Sequence, residues 1–264
     1  MGFFQDVTGV GMKTTKYIIS SEKLPSAFSG CKIVHLSDFH CKPKKGMVSL
    51  VKEEAPDLIF MTGDMADDKE PIDSFLKLLE SMLKIAPVYI ISGNHDVQHD
   101  DYEKLVDICR DMGATYLVNQ CVSIKKDEEE IYIYGIDDPR VRAKEKLDEK
   151  IRNSISQLKR NNGFEILLFH RANKLPLFEN EKFDIIFSGH MHGGQIRLPH
   201  LGGVIAPKSS FGDSGRIIFP EFSGGRYKMG ETEVVVSCGM GNSVILPRFG
   251  NPTEIVSVIL KKKE

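Results

Sequence analysis

Short apolar runs, each followed directly by polar residues, form the strongest pattern along this chain. Each run is rich in β-branched or aromatic residues and only a few residues long, which is typical of strands buried on both faces of a sheet. The five runs, with the polar residues that end them, are CKIVHLSDFH (31–40), DLIFMTGD (57–64), PVYIISGNHD (87–96), EILLFHR (165–171) and DIIFSGHMH (184–192). The pattern predicts five buried strands with polar side chains at their carboxyl ends.

Three helical patterns separate or follow the first three of these strands. They are KGMVSLVKEEA (45–55), EPIDSFLKLLESMLK (70–84) and HDDYEKLVDICRDMG (99–113). The second carries four apolar residues on one face, namely Phe75, Leu78, Leu79 and Met82. Gly113 is a plausible stop for the third. Strands that alternate with helices predict a parallel sheet with right-handed crossovers.

The remaining segments add strands and one more helix. CVSIKKDEEEIYIYGI (121–136) alternates apolar and polar residues around an acidic turn, which predicts a hairpin. RVRAKEKLDEKIRNSISQLKR (140–160) has the pattern of a charged amphipathic helix. TEVVVSCGMG (232–241) and TEIVSVILK (253–261) predict late strands, antiparallel or mixed, and residues 1–20 predict a first strand with its lead-in. Since no linker-like composition interrupts the chain, we expect a single domain over residues 1–264.

Composition narrows the class of protein. The chain has 264 residues, 41% of them hydrophobic, and a net charge of −2 without a basic stripe, so we expect no nucleic-acid partner. Its five cysteines form no CxxC pair, which favours a reducing, cytoplasmic location. No stretch has the length and hydrophobicity of a membrane span or signal peptide. Peripheral contact of Phe3, Phe4 and Tyr17 with the inner face of a membrane is the alternative to a plain first strand.

Candidate metal ligands follow the five predicted buried strands. In open α/β sheets, ligands bind beyond the carboxyl ends of the strands. The clusters there are Asp38 with His40, Asp64, Asn94 with His95 and Asp96, His170, and His190 with His192. Each cluster alone is also compatible with a structural role. Together, carboxylate and imidazole ligands without a thiol favour Mn, Fe or Zn in a catalytic site, and their number exceeds what one ion needs. A shared carboxylate would hold two ions about 3.5–4 Å apart.

The order of these motifs resembles that of the calcineurin-like metallophosphoesterases. DxH, GD, GNHD, a single His and GHxH occur in that order, and the resemblance extends from about residue 31 over nearly the whole remaining chain. GHMHGGQIRLP (189–199) and GNSVILPRFGNPTEI (241–255) are similar to the YkuE-like branch of bacterial phosphodiesterases. That branch includes proteins linked to cleavage of UDP-2,3-diacylglucosamine. The resemblance implies an α/β fold in which two mixed β-sheets form a four-layer sandwich with flanking helices.

The resemblance also implies roles for the candidate residues. Two divalent ions are expected, with Mn favoured over Fe or Zn. The implied first-ion ligands are Asp38, His40 and His192, the second-ion ligands are Asn94, His170 and His190, and Asp64 bridges both. His95 would contact the phosphate and assist the leaving group, and Asp96 would orient His95. On an extended segment, alternation would place His190 and His192 on the same side.

Substrate contacts are less sharply defined by the sequence. Arg171 stands where many relatives carry Pro, and it either lies near the substrate or faces solvent. Gln195 and Arg197 are candidates for phosphate contact at the rim, with a plain surface position as the alternative. The loops 202–215 and 223–230 are candidates for the rest of the rim, and the residues proposed there and nearby are Phe211, Arg216, Phe219, Phe222, Arg226 and Lys228.

The residues and the resemblance together predict a dinuclear metal-dependent phosphohydrolase. We expect a metal-bridging hydroxide to attack phosphorus in line, as two-metal hydrolases do. By resemblance, the substrate is a small phosphodiester or pyrophosphate rather than a monoester, with a lipid-linked or UDP-diacylglucosamine-like compound as one candidate. A non-catalytic metal-binding scaffold and a nuclease are the alternatives. The sequence leaves the oligomeric state open.

Overall fold

The computed structural model describes residues 11–67, 70–139, 146–205, 218–241 and 248–264. The strands in this part of the chain are β1 (Met12–Ser21), β2 (Lys32–Leu36), β3 (Leu58–Thr62), β4 (Val88–Ile91), β5 (Thr115–Tyr116), β6 (Gln120–Lys126), β7 (Glu129–Ile136), β8 (Phe164–Arg171), β9 (Ile185–Gly189), β10 (Ile196–Leu198), β11 (Gly202–Ile205), β12 (Gly225–Met229), β13 (Thr232–Val236) and β14 (Thr253–Lys262). The α-helices are α1 (Met47–Glu54), α2 (Asp73–Leu83), α3 (Tyr102–Asp111) and α4 (Leu147–Gln157). All five predicted buried strands are therefore present.

The first large sheet has the strand order β1-β14-β2-β3-β4-β5. Strands β2 to β5 are parallel, as the alternation of strands and helices predicts. The helices α1, α2 and α3 connect them. The last strand, β14, enters between β1 and β2, parallel to the first and antiparallel to the second. This sheet is mixed because β1 and β14, from the two ends of the chain, run antiparallel to the parallel strands β2 to β5.

The second large sheet has the order β12-β13-β9-β8-β7-β6. Strands β6 and β7 form the predicted hairpin, and β7, β8, β9 and β13 are parallel. Strand β12 closes one edge in antiparallel register with β13. A small antiparallel pair, β10 and β11, follows the second sheet's β9 along the chain. The prediction of mixed late strands is confirmed.

The two sheets pack face to face, and helices cover their outer faces. Alternate residues of each strand point to opposite faces, so Ile33 and Phe60 enter the core between the sheets while Val34 and Ile59 pack under α1 to α3. The rings of Phe60 and Phe187 meet edge to face across the two sheets, with centroids 5.2 Å apart. Helix α4 packs on the outer face of the second sheet. The predicted sandwich of two mixed sheets flanked by helices is confirmed.

The helices follow their sequence patterns closely. The four apolar residues predicted on one face of α2 are all buried in the core under the first sheet. Helix α3 ends just before Gly113, whose φ of +104° stops the helix as predicted. Helix α4 begins at Leu147, and residues 140–145 of the predicted helix lie outside the described residues. Within the described ranges, no helix has both the length and the apolar character needed to cross a bilayer.

Candidate metal centre

The polar residues that follow β2, β3, β4 and β9 meet His170 of β8 at one end of the sandwich. Their carboxylate oxygens and imidazole nitrogens form three groups, and within each group the candidate ligand atoms lie within 4.8 Å of one another. The groups are Asp38, His40 and His192; His40, Asp64 and His95; and Asp64, His170 and His190. The three groups overlap through His40 and Asp64, so they form one continuous cluster.

Five of these residues have left-handed backbone conformations that non-glycine residues rarely adopt. Their φ angles are +54° for Asp38, +49° for His40, +50° for Asp64, +73° for His190 and +47° for His192. Such conformations cost of order 1–3 kcal/mol each and concentrate at functional sites. The expectation of an extended segment around His190 is wrong, because β9 ends at Gly189 and the chain turns at once. Both imidazoles nevertheless reach the cluster, through left-handed residues instead of strand alternation.

Three glycines let the backbone of one strand end approach the side chains of the next. A Cβ at Gly93 would lie 2.2 Å from Oδ1 of Asp64, and a Cβ at Gly63 would lie 2.5 Å from the nitrogen of Gly93. A Cβ at Gly189 would lie 1.9 Å from Oγ of Ser37. These distances exclude any side chain at the three positions without rearrangement.

The first group brings two imidazole nitrogens and one carboxylate oxygen together. Nε2 of His40 lies 3.4 Å from Nε2 of His192, and the latter lies 3.5 Å from Oδ1 of Asp38. Asp38 is fixed by the hydroxyl of Ser37, which donates to Oδ2 at 2.6 Å, and by the amide of His190, which donates to both oxygens at 3.1 Å. The carboxylate is thus oriented by donors from its own strand end and from the end of β9.

The third group is arranged around Asp64. Nε2 of His170 lies 3.1 Å from Oδ2 of Asp64, and Nδ1 of His170 donates to the carbonyl of Thr62 at 2.8 Å. The backbone amide of His95 donates to the other carboxylate oxygen, Oδ1, at 2.7 Å. Because the carbonyl of Thr62 accepts from Nδ1, Nε2 is the nitrogen that faces the carboxylate.

The electrostatics of this pair reflect its burial. Burial alone would raise the pKa of Asp64, but His170, His95 and His40 lower it well below its usual range. Burial would lower the pKa of His170, but Asp64 raises it to about 10. In the metal-free protein a proton therefore lies between these two residues at neutral pH. A divalent cation would replace that proton.

The residues present fit divalent cations. Among the described residues, Oδ1 of Asn94 is buried and accepts no hydrogen bond. An unsatisfied buried acceptor is costly, and a cation would satisfy it. The same cation would take the place of the proton between Nε2 of His170 and Asp64. Carboxylate, imidazole and amide oxygen ligands without a thiolate are typical of catalytic rather than structural metal sites. The cluster thus offers a set of ligands that divalent cations could occupy.

His95 and Asp96 lie beside this cluster, on the turn after β4. His95 is the one residue of the three groups that is partly exposed, and its ring meets that of His40 edge to face with centroids 4.8 Å apart. Asp96 accepts from the amides of Ala66 and Gly93, each at 2.7 Å. These bonds fasten the β4 turn to the loop that follows Asp64. Burial, together with the charge of Asp64, raises the pKa of Asp96 to about 7. Its predicted role in orienting His95 stays a prediction.

The predicted substrate residues occupy more buried positions than expected. Arg171 does not face solvent, because it is buried and binds Asp138 through Nε at 2.6 Å and Nη2 at 2.9 Å. Gln195 is fully buried, which excludes the surface position. Arg197 donates to the carbonyls of Gly193 and Gly224, each at 3.1 Å, and braces the turn after His192. Contact of these side chains with substrate stays a prediction.

The loop residues proposed for the rim fall into two sets. Phe211 and Arg216 lie outside the described residues. Arg226 binds Glu233 and the carbonyl of Ile18, which ties it to β13 and β1 rather than to the cluster. Phe222 is buried against α4 and the second sheet, and Phe219 is exposed.

Three residues at the cluster were missed by the sequence reasoning. Oδ2 of Asp67 lies 3.2 Å from Nδ1 of His40, and the spacing GDMAD, with a second carboxylate three residues after Asp64, is the signal that could have found it. Nη2 of Arg248 lies 3.2 Å from Nδ1 of His192. Nδ2 of Asn251 donates to the carbonyls of His192 and Gln195 at 2.6 and 3.3 Å. The last two lie in the segment 241–255 that resembles the YkuE-like branch, but no local spacing shows that they contact His192 across 56 and 59 residues.

Comparison with known proteins agrees with this architecture. The sequence model of the calcineurin-like phosphoesterases matches residues 31–194. The uncharacterized metallophosphoesterase YkuE of Bacillus subtilis is 29% identical over 263 residues, which cover 95% of this chain and 86% of YkuE. The phosphodiesterase YaeI of Escherichia coli is 26% identical over 186 residues, which cover 67% of this chain and 66% of YaeI. The solved structure of TT1561 of Thermus thermophilus shares the fold at a TM-score of 0.53 and 11% identity, covering 81% of this chain and 92% of that one.

The chain belongs to the calcineurin-like phosphoesterase family, as the match over residues 31–194 shows. It is a metal-dependent hydrolase of small phosphoester substrates. The predicted resemblance to this family and to YkuE is confirmed.

Proposed function

We propose that the protein is a dinuclear phosphohydrolase that cleaves phosphodiester or pyrophosphate bonds. The observation that carries this proposal is the position of Asp64, whose carboxylate belongs both to the group with His40 and to the group with His170. A carboxylate shared in this way is the usual bridge between two catalytic ions. The rest of the cluster supplies enough ligands for both positions.

The proposed ligand sets are those that the family resemblance implies, and the three groups of the cluster support them. Asp64 would bridge the two positions; Asp38, His40 and His192 would hold the first ion, and Asn94, His170 and His190 would hold the second. When bound, the ions lower the pKa of water to supply a hydroxide nucleophile and offset charge on the phosphate oxygens. We favour Mn²⁺, with Fe or Zn as alternatives, because the set combines oxygen and imidazole ligands.

His95 is proposed as the residue that handles the leaving-group proton. Its side chain is less buried than the other imidazoles, and its backbone amide is fixed to Asp64. Its ring can therefore contact a phosphate group at the cluster while remaining accessible to the departing oxygen. General acid catalysis of this kind contributes typically 10²–10⁴-fold to the rate.

The substrate class rests on similarity rather than on geometry. The relative YaeI is a phosphodiesterase, which favours a diester or pyrophosphate over a monoester. A lipid-linked substrate such as a UDP-diacylglucosamine-like compound is the more specific form of the proposal. Arg171, Gln195 and Arg197 are the proposed contacts on the substrate side. We place the enzyme in a single domain of residues 1–264, in the cytoplasm or on the inner face of the membrane.

A substrate panel tests the proposal. The Mn²⁺-loaded protein is assayed with bis(p-nitrophenyl) phosphate, p-nitrophenyl phosphate and a UDP-linked pyrophosphate, beside an Asp64→Ala variant. We expect turnover of the diester or pyrophosphate and none in the variant. A clean preference for the monoester overturns the substrate class, and normal turnover by Asp64→Ala overturns the mechanism. Two bound ions without any turnover would favour the scaffold, and salt-sensitive binding of single-stranded DNA would favour the nuclease.

A further inference from the structure

The guanidinium of Arg248 lies directly behind His192. Arg248 is 7% exposed, and its Nη2 lies 3.2 Å from Nδ1 of His192 and 2.6 Å from the carbonyl of Gly241. An arginine side chain only donates hydrogen bonds. Nδ1 of His192 is therefore the acceptor, and a neutral ring carries its proton on Nε2.

Nε2 is the nitrogen of His192 that faces the candidate ligands. It lies 3.5 Å from Oδ1 of Asp38 and 3.4 Å from Nε2 of His40. A cation held by these residues takes the lone pair of Nε2. The tautomer selected by Arg248 places a proton on that same atom.

The imidazoles of His170 and His40 show the opposite arrangement, with an acceptor instead of a donor at Nδ1. Nδ1 of His170 faces the carbonyl of Thr62 at 2.8 Å, and Nδ1 of His40 faces the carboxylate of Asp67 at 3.2 Å. Both neighbours are acceptors, so each favours a proton on Nδ1 and leaves Nε2 as the nitrogen that can bind a cation. Acceptors in this position are the rule behind metal-binding histidines, because they fix the tautomer and increase the basicity of the ligand.

Resting on the proposed two-ion function, we propose that Arg248 is a positioning residue that opposes metal binding through His192 and makes the Asp38–His40–His192 position the weaker of the two. Ligation through Nε2 moves the imidazole proton to Nδ1, where it faces an N–H of Arg248. The hydrogen bond between them is then lost. The positive guanidinium would also repel a cation bound to Nε2 of the same ring.

Arg248 lies outside the region that the family model matches. That region ends at residue 194, and Arg248 reaches His192 across 56 residues of sequence. The contact between Arg248 and His192 would let the ion at the Asp38–His40–His192 position exchange readily. The ion at the Asp64–His170 position would be retained.

Calorimetric titration of the metal-free protein with Mn²⁺ tests the proposal. The wild type is expected to bind one ion tightly and one weakly, and Asp38→Asn removes the weak step. Arg248→Met is expected to tighten the weak step by about tenfold, the lower end of typical effects of such neighbours, and to leave the tight step unchanged. Damage to the structure would weaken binding, so the sign of the change is diagnostic. A weaker or unchanged second step in Arg248→Met overturns the proposal.

Arg197→Met is the matched control, because Arg197 contacts the same turn only through the carbonyls of Gly193 and Gly224 in the bonds described above. It is expected to produce no tightening, and tightening there as well would overturn the role assigned to Arg248.

A second measurement uses the unmodified, metal-free protein. Long-range ¹H–¹⁵N NMR correlations distinguish the two imidazole tautomers, and we expect His192 to be neutral with its proton on Nε2. A proton on Nδ1 of His192 overturns the proposal even if the variant cannot be folded. If the wild type fails to bind two ions, the dinuclear function fails, and the tautomer of His192 still decides the role of Arg248.

Discussion

Gly93 and Asp64 are packed so closely that a single added carbon at position 93 would stand 2.2 Å from Oδ1 and 2.4 Å from the backbone nitrogen of Asp64. Gly93→Ala must therefore displace the proposed bridging carboxylate or the turn that carries Asn94. We expect metal affinity and turnover each to fall by about 10–100-fold. Metal content after desalting and initial rates measure both.

Gly11→Ala is the control for this substitution. No heavy atom lies within 4 Å of the added carbon, and the residue has no left-handed φ. This variant is expected to match the wild type in metal content and rate. Full metal content in Gly93→Ala would contradict the close packing described for the centre.

Asp67 supports His40 from behind, and its removal tests this contact. Asp67→Asn replaces the carboxylate 3.2 Å from Nδ1 of His40 by a neutral amide. The imidazole becomes a weaker ligand, so we expect a 10–100-fold loss of metal affinity. Asp107→Asn, on the exposed face of α3, is the matched control and should leave the affinity unchanged. Equal affinities for the wild type and Asp67→Asn would show that the contact does not tune His40.

Metal binding at Asp64 and His170 should release a proton. The pKa of His170 in the metal-free protein is raised to about 10, so the ring is protonated at neutral pH and must lose that proton to bind a cation. Affinity should therefore rise by about tenfold per pH unit between pH 6 and 9 and level off as the pH approaches 10. Calorimetry in buffers of different ionisation enthalpy counts the proton directly. A pH-independent affinity in this window would contradict the assignment.

Glu165 stabilises the second sheet without touching the cluster. It is buried, accepts from Nε of Arg160 and from the hydroxyl of Tyr134, and caps the amide of Asn161. Glu165→Gln should lower the free energy of unfolding by about 1–3 kcal/mol and leave metal content unchanged. Denaturant unfolding and metal analysis measure the two effects, with the exposed Glu149→Gln as control.

The same residue gives an acid-stability prediction. Burial would raise the pKa of Glu165, but Arg160 and Tyr134 lower it below 4.5. Its stabilising contribution is therefore present above pH 4.5 and is lost as the pH falls through the lowered pKa. In Glu165→Gln this part of the acid transition should disappear. An unchanged acid transition would contradict the contribution assigned to the pair with Arg160.

The sequence predicted the strands and the positions of the candidate ligands well, for a physical reason. Buried parallel strands require continuous apolar runs, and polar residues at their ends have few structural explanations other than a ligand site. The amphipathic face of α2 was predictable for the same reason, since Phe75 and Met82 follow helical periodicity into the core.

The backbone geometry of the centre was not predictable from periodicity. Left-handed φ angles at His190 and His192 are imposed by the tertiary structure, against the preference of non-glycine residues. Arg248 and Asn251 contact His192 across 56 and 59 residues. A local pattern cannot reveal such pairs.

The number of metal ions per chain tests the central claim most directly. The protein is loaded with Mn²⁺ and desalted at a protein concentration above the dissociation constant of the weaker-bound ion. Its metal content is then measured by plasma mass spectrometry, beside that of Asp64→Ala. The shared carboxylate predicts about two ions per wild-type chain and a loss of both in the variant. One ion or none in the wild type, or two ions in Asp64→Ala, would contradict a dinuclear centre bridged by Asp64.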